Sequence, residues 1–445
     1  MTSGRTPHHA PGHRSTGPLL TRRRLVGAGG LGALTLLAAG CGGGSSGGGD
    51  GALRFSWWGN ADRAADTQAA IDAFEAANPG TTVSGEWADF TGYFDRLATN
   101  VAANDAPDVM TLGGAYPREY GDRGALLDLA EVSDALPLDG IDAAALSNGE
   151  FSGVQYGVPT GVNTYCAVVN PALFDAAGVA LPDDATWTWE EFEALAGDLS
   201  AASPEGVVGA VDPTTADALD LFSRQRGEGL YTEDGGLAIS AATLEEWWTR
   251  TLRMSRDGAT PPATITTELL GDAAPEQTLM GRGQAAITLG WSNTLPALRA
   301  AAGEPLQLLR APGESTGQPG MWLQASQLYA ISSRTRNREA AARLVDFLVN
   351  SPEAGRIIGA DRGIPANAEV LAAITPDLDD DQRAQAEFVA RVTPLVGDAL
   401  VIGPVGSTET RGVVERLNAD VLFERTTPAD AAQAFLDQVG AAIGA

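Results

Sequence analysis

Three short strand-like runs decide the fold: Leu53-Arg-Phe-Ser-Trp57, Thr82-Val-Ser-Gly-Glu-Trp87 and Pro107-Asp-Val-Met-Thr-Leu112. The segments between them have helical spacing, as with Ile71 and Phe74 in the first, which closes at Asn78-Pro-Gly80. A strand–helix–strand–helix–strand order predicts a parallel sheet whose carboxyl ends face a crevice. The same alternation continues along the chain, so the sequence predicts an α/β fold.

The composition excludes several classes of chemistry. All 29 basic residues of the 445 are Arg, and the three His lie before residue 41. The chain beyond residue 40 therefore lacks the side chains for a Ser-His pair, an imidazole zinc site or a Schiff base. Its 24 Arg face 57 acidic residues, a net charge of −33 that disfavours nucleic acid. Carboxylate chemistry, as in glycosidases, and pure binding remain.

Residues 1–40 have the pattern of an export signal. Thr21-Arg-Arg-Arg-Leu-Val26 is a charged segment, and an apolar run to residue 39 follows that is too short to span a bilayer. The arginine pair is typical of twin-arginine export, although general secretory leaders also carry Arg runs. Gly27-Ala-Gly-Gly-Leu-Gly32 matches a dinucleotide-binding pattern, but no strand precedes it and cleavage would remove it, so no cofactor is predicted.

The end of the signal predicts a lipid anchor. Leu37-Ala-Ala-Gly-Cys41 resembles a lipobox, in which the Cys41 thiol accepts a diacylglycerol. Residues 42–49 are all Gly or Ser and form a flexible tether. Two or more acyl chains anchor stably, so we expect a soluble body held on the outer face of the cell membrane.

Several local patterns have structural explanations. Thr188 to Glu191 and Thr243 to Glu246 fit capping boxes. Cys166 lies in an apolar run and is predicted to be buried. The aspartates from Asp377 to Asp381 lack the Gly and Glu of a calcium loop, so we predict a helix start over 382–392 and no metal site.

The chain resembles the extracellular sugar-binding lipoproteins of bacterial ABC importers, of the maltose-binding-protein type. The resemblance rests on ordered stretches that run nearly the whole length: Phe55 to Gly59, Ala106 to Met110, Asp122 to Leu129, Tyr156 to Pro159, Asn170 to Gly178, Trp187 to Phe192, Gly283 to Trp291, Ala340 to Leu348 and Gly363 to Asn367. Each stretch alone is weakly specific, and their order and spacing together are specific.

The resemblance implies a two-lobed periplasmic-binding-protein (type II-like) fold, each lobe a mixed sheet flanked by helices. The first lobe would comprise 51–158 and 328–395, and the second 163–322 and 400–445. Hinge crossovers would lie near 158–163, 324–331 and 400–404. The protein would act as a monomer that closes on a sugar and delivers it to the ABC permease subunits.

Aromatic rings stack on sugar C–H faces, which makes Trp the first candidate. Trp57 and Trp58 end the first strand and point in opposite directions, so one can stack on ligand while the other packs. Trp291 follows a strand at a position where the family commonly stacks a sugar, and Trp322 lies near a crossover. Four further Trp are predicted to pack in the interior: Trp187, Trp189, Trp247 and Trp248.

Planar polar groups bind sugar hydroxyls, and several stand near predicted strand ends or crossovers. Gly113 and Gly114 would let backbone N–H groups approach a ligand. The remaining candidates for ligand contact are Asp89, Thr160, Asn163, Gln225, Arg226 and Arg362.

Two alternatives remain open. An anchored glycosidase would need two facing carboxylates in the cleft. The same fold could instead bind a non-sugar solute, namely a polyamine, a phosphate ester or a metal complex. A cleft rich in Asp and Glu would suggest a cation, and one rich in Arg a phosphate.

Overall fold

The computed structural model describes residues 51–114, 116–269 and 274–444. The predicted signal, the lipidation site Cys41 and the tether lie outside these residues. Within them, no helix combines the length and apolar character needed to cross a membrane.

Eight of the ten strands in the described part of the chain form one mixed sheet. The strands are β1 (Ala52–Trp58), β2 (Thr82–Ala88), β3 (Val109–Leu112), β4 (Glu150–Phe151), β5 (Val154–Gln155), β6 (Gly157–Val169), β7 (Val208–Ala210), β8 (Ala285–Trp291), β9 (Gln307–Leu309) and β10 (Leu323–Ile331). The sheet order is β2-β1-β3-β10-β6-β8-β7, with β9 also paired to β6, while β4 and β5 form a separate hairpin. The predicted parallel pairing of β1 with β2 and β3 is confirmed, and β10 adds an antiparallel neighbour to β3.

Strand β6 belongs to both ends of this path. Its first part, from Gly157 to Thr164, pairs antiparallel with β10. Its second part, from Tyr165 to Val169, pairs with β8 and β9. We call the strands β2, β1, β3 and β10 the first half-sheet, and β8, β7 and β9 the second half-sheet. The 13 residues of β6 join the two without interruption.

Helices flank the two half-sheets. They are α1 (Ala61–Ala77), α2 (Phe90–Ala102), α3 (Tyr116–Asp122), α4 (Ala143–Leu146), α5 (Pro171–Ala177), α6 (Trp189–Ala202), α7 (Ala216–Arg224), α8 (Ala241–Arg256), α9 (Ala263–Glu268), α10 (Leu295–Ala302), α11 (Arg338–Asn350), α12 (Pro352–Ile358), α13 (Ala368–Ile374), α14 (Asp380–Val392), α15 (Thr410–Leu422) and α16 (Pro428–Ile443).

Capping explains where several helices begin. The capping box of Thr188 and Glu191 is confirmed at the start of α6. The predicted box at Thr243 is wrong, because Ser240 accepts the Thr243 amide and α8 begins at Ala241. Asp379 caps α14 through the amide of Gln382, which confirms the structural interpretation of the aspartate run.

Each half-sheet has its own hydrophobic core. Phe55, Trp57 and Val109 belong to the first core, and Trp247 and Trp248 to the second. The predictions that Trp187, Trp189, Trp247 and Trp248 pack in the interior are confirmed. Cys166, in β6, is also fully buried, and burial raises the pKa of its thiol above the ordinary range.

Candidate functional site

A first cavity of about 330 Å³ lies between the two half-sheets. On one side are Gly113 and Gly114, which follow β3. The opposite side is formed by Asp217 and Asp220 of α7 and by residues 400–403, and Gln324 of β10 also lines the cavity. Its walls come from β3 and β10 of the first half-sheet and, on the other side, from α7, which packs in the second core, and residues 400–403. This cavity is therefore part of a cleft that a relative movement of the two sides would open or close.

A second cavity, of about 610 Å³, is also lined by both sides of the chain. Trp58 at the end of β1 faces it, as does Asn293 directly after β8. Carboxamides make up much of its polar wall, in Asn163, Asn293, Gln327, Gln382 and Gln385. This polar surface offers both donors and acceptors to a solute.

Two partly exposed indoles, Trp58 and Trp291, adjoin these cavities. Trp58 lines the second cavity, and its ring contacts Gly113 of the first, where an added Cβ would lie 3.1 Å from Cη2 of Trp58. The indole Nε1 of Trp291 donates to Oδ2 of Asp217 in the first cavity, at 3.3 Å, and Asn293 two residues later lines the second. Trp58 therefore lines the cleft directly, whereas Trp291 lines neither cavity and reaches the first through its hydrogen bond to Asp217.

The other two candidate tryptophans are packed. Trp57 is 1% exposed and lies 4.9 Å from the ring of Phe55, so of the β1 pair it is the side chain that points into the core. Trp322 is fully buried, stacked on Tyr165 and edge-on to Trp291 at 5.5 Å. Neither lines the two cavities, and in this conformation the ring of Trp322 packs against the ring of Trp291.

Asn163 occupies the second cavity at the crossover. Its Nδ2 donates to Oγ of Ser326 at 2.8 Å, and its Oδ1 accepts from Nε2 of Gln385 at 3.0 Å. These three side chains come from β6, β10 and α14, so they link the two crossing strands to a helix that packs on both cores. Thr160 stands three residues earlier in β6, where its hydroxyl has no hydrogen-bond partner among the described residues and it lines a small void of about 20 Å³.

The remaining polar candidates form hydrogen bonds or ion pairs with other groups of the protein in this conformation. Asp89 caps α2 by accepting from the amide of Gly92. Gln225 accepts from Nε1 of Trp189 and donates to Glu314, which places it in the second core. Arg226 pairs with Glu246.

Arg362 is a buried cation beside the second cavity. It is 2% exposed and donates to Oε1 of Gln327 at 3.2 Å and to Oγ1 of Thr67 at 2.6 Å. No carboxylate of the described chain forms an ion pair with it, and burial lowers the pKa of its guanidinium. Arg362 does not line the second cavity itself, but Gln327, to which it donates, does.

Sequence reasoning missed Asp217 and Asp220. Burial raises the pKa of both carboxyls, to about 7 for Asp220. The indole of Trp291 and the charge of Arg411 act in the opposite direction on the pKa of Asp217. The available signal was their spacing of three residues on a helix, which places both on one face.

The family model for bacterial extracellular solute-binding proteins matches residues 57–354. The chain belongs to this family. The resemblance drawn from the sequence is thereby confirmed. Within the described residues this solute-binding protein has no group of three or more His, Cys, Asp or Glu placed to hold a metal ion.

Individual members of the family are similar over most of the chain. An uncharacterised lipoprotein from the oleD 5′ region of Streptomyces antibioticus is 25% identical, over 77% of this chain and 76% of its own. The diacetylchitobiose-binding protein DasA of Streptomyces coelicolor is 23% identical, over 84% and 89%. A solved family 1 extracellular solute-binding protein from Alicyclobacillus acidocaldarius superposes with a TM-score of 0.78 at 26% identity, covering 88% of this chain and 98% of that one. The predicted two-lobed α/β fold is confirmed.

Proposed function

We propose that this solute-binding protein captures a mono- or oligosaccharide in the cleft between its half-sheets and delivers it to an ABC permease. The observation that carries the proposal is two partly exposed indoles at the cleft, Trp58 in the wall of the second cavity and Trp291 bonded to Asp217 of the first. An indole face binds the apolar C–H face of a sugar ring, and neighbouring carboxamides bind its hydroxyls. Two cavities in one cleft suit a solute of more than one sugar unit.

The named relatives support this proposal. DasA is described as binding diacetylchitobiose and matches most of this chain. We propose the lobe limits given above, 51–158 with 328–395 and 163–322 with 400–445, with hinging at the crossovers. Helix α14 packs against both cores, so closure of the lobes would change its contacts with at least one of them.

We also propose that Cys41 carries the lipid anchor, that export follows the twin-arginine or the general route, and that the protein acts as a monomer on the outer face of the membrane. The Streptomyces antibioticus relative is described as a lipoprotein, which supports the anchor. The test is the fate of the full chain with Cys41→Ser in a bacterial host. It should be released from the membrane fraction, while the unchanged chain stays with it.

We infer that the protein binds without catalysing a reaction. A glycosidase needs carboxyl groups on both sides of the bond that breaks. Asp217 and Asp220 both line the first cavity, but they project from one face of α7, so they would meet a solute from the same side. Unchanged oligosaccharide recovered after prolonged incubation would support binding alone, and cleaved product would contradict it.

The sugar proposal is tested by thermal unfolding with a panel of mono-, di- and oligosaccharides. A solute at 100 times its dissociation constant adds about 2.7 kcal/mol of stability. Trp58→Ala and Trp291→Ala should each weaken binding at least about tenfold, since buried aromatic anchors dominate binding energy. Trp87→Ala is the matched control, because Trp87 is 45% exposed and, among the described residues, neither lines one of the two cavities nor hydrogen-bonds through its indole to a residue that does. A panel without any shift would refute sugar binding.

A further inference from the structure

The cleft carries an excess of negative charge. The described side chains that line its two cavities include two guanidinium groups, Arg63 and Arg411, and five carboxylates, Asp66, Asp217, Asp220, Asp361 and Asp379. Arg63 is paired with Asp361 at 2.7 Å, and Arg411 with Glu415 at 2.9 Å. A solute that enters therefore meets a wall that repels anions.

Asp217 and Asp220 concentrate this charge in the first cavity. They stand one turn apart on α7, and neither forms an ion pair within the described chain. Asp220 is 6% exposed; its Oδ1 accepts from the amide of Leu230 at 3.2 Å. Its Oδ2 accepts no hydrogen bond from the described residues, since the nearby Ser223 hydroxyl donates to the main-chain oxygen of Asp220. A nine-tenths-buried acceptor thus lines the cavity with its second oxygen unused.

The pair is unfavourable as it stands. Burial raises the pKa of both carboxyls. The charge of Arg224 lowers the pKa of Asp220 in part and the charge of Asp217 raises it, while the charge of Arg411 lowers the pKa of Asp217. A buried carboxylate is costly unless a positive or hydrogen-bond donor group accompanies it. A neutral hydroxyl can donate one hydrogen bond here, whereas an ammonium group brings three donors and a positive charge that can contact the carboxylates directly.

We propose that Asp217 and Asp220 bind a protonated primary amine of the solute. The inference rests on the proposed function, since it concerns the same cleft. The surrounding wall suits a carbon skeleton, because Leu112, Leu230 and Tyr231 line the cavity beside the two carboxylates. Trp291 of the second half-sheet donates to Oδ2 of Asp217, which positions the carboxylate beside the indole. The amine belongs to an amino sugar or to a polyamine.

The test is isothermal titration calorimetry of the mature chain with a matched pair of probes. The β-1,4-linked dimer of glucosamine and its N,N′-diacetyl form differ only in the amines, and cellobiose carries hydroxyls there. We expect the amine dimer to bind at least about tenfold more tightly than both, as charge-assisted hydrogen bonds are stronger than neutral ones. Asp217→Asn and Asp220→Asn keep the shape of the side chains. Each should weaken binding of the amine dimer at least about tenfold more than binding of cellobiose.

Glu245→Gln is the control, because it removes one negative charge from an exposed position on α8, outside both cavities. It should leave all affinities unchanged. Equal binding of the three dimers would overturn the amine site while sugar capture stands. Tight binding of spermidine with no dimer bound would support the amine site and refute the sugar. The inference would be overturned if millimolar calcium displaced the amine dimer and neither variant changed its affinity. It would also be overturned if none of the probes bound.

Discussion

Nη1 of Arg118 donates to the main-chain oxygen of Ile402 over 3.0 Å, and its Nη2 donates to that of Glu233 over 2.8 Å. Arg118 belongs to α3 beside the first half-sheet, whereas Glu233 follows α7 near the second. Ile402 also lines the first cavity, so the guanidinium closes one end of the cleft. This contact ties the two sides of the cleft together.

Arg118→Met is expected to favour the open form and weaken solute binding about tenfold. The loss of two hydrogen bonds from a charged donor costs about 1–3 kcal/mol, and the methionine preserves most of the side-chain volume. Small-angle scattering of the bound protein should show a larger radius of gyration. Arg123→Met is the control, since Arg123 pairs only locally with Glu119. Equal affinities of the two variants would contradict a closing role for Arg118.

Arg362→Lys is expected to lower the free energy of unfolding by about 1–3 kcal/mol. An ammonium group lacks the planar fork that reaches both Gln327 and Thr67, so one buried acceptor is left without its donor. Urea unfolding measures the change, and Arg96→Lys at an exposed position of α2 serves as the control. A variant as stable as the unchanged protein would show that Arg362 does not hold Gln327.

Asp220→Asn is expected to change how stability depends on pH. The folded pKa of Asp220 is raised from 3.8 to about 7, so between these values the folded state binds more protons than the unfolded state. Stability from this group is therefore present at low pH and declines as pH rises towards 7, by up to about 1.4 kcal/mol per pH unit. The amide in the variant cannot ionise, so the variant should gain stability relative to the unchanged protein as pH rises from about 4 to about 7.

The amide oxygen of the variant can still accept from Leu230, which keeps the packing comparable. Urea midpoints measured at several pH values give the difference between the two proteins. The charges nearest to Asp220 are Asp217 and Arg224, and both persist in the variant. A difference that stays constant over this range would contradict the raised pKa.

Gly161→Ala is expected to destabilise the crossover by about 1–3 kcal/mol, the usual cost of overpacking. A Cβ at this position would lie 2.2 Å from the main-chain oxygen of Arg362, and backbone cannot move aside as a flexible side chain can. Gly290→Ala is the control in the neighbouring strand β8, where an added Cβ meets nothing within 4 Å. Similar unfolding midpoints for the two variants would contradict the close approach at Gly161.

The regular elements were predictable because their signals are local. The first three strands carry β-forming residues next to turn signals, and Thr188 with Glu191 encodes its own helix start. The box at Thr243 failed for a related reason, since Ser240 offers an equally good cap three residues earlier and its side chain accepts from the Thr243 amide.

The candidate site was harder to predict because burial depends on distant partners. Trp291 and Trp322 look alike in the sequence, yet Trp322 is covered by Tyr165 and Trp291 remains partly exposed. Gln225 is polar and near a helix end, but Trp189 and Glu314, far away in sequence, take its hydrogen bonds. Asp217 and Asp220 become a pair in a cavity only once residues 400–403 and Gly113 close around them.

Strand β6 has a consequence for how the protein unfolds. Each half-sheet uses part of the same 13 residues, so loss of either core would leave the other with an unpaired edge. Two cores joined by a flexible linker would melt separately, whereas cores that share a strand lose their stability together. The molecule should therefore show one cooperative melting transition, because β6 is a paired strand of both half-sheets.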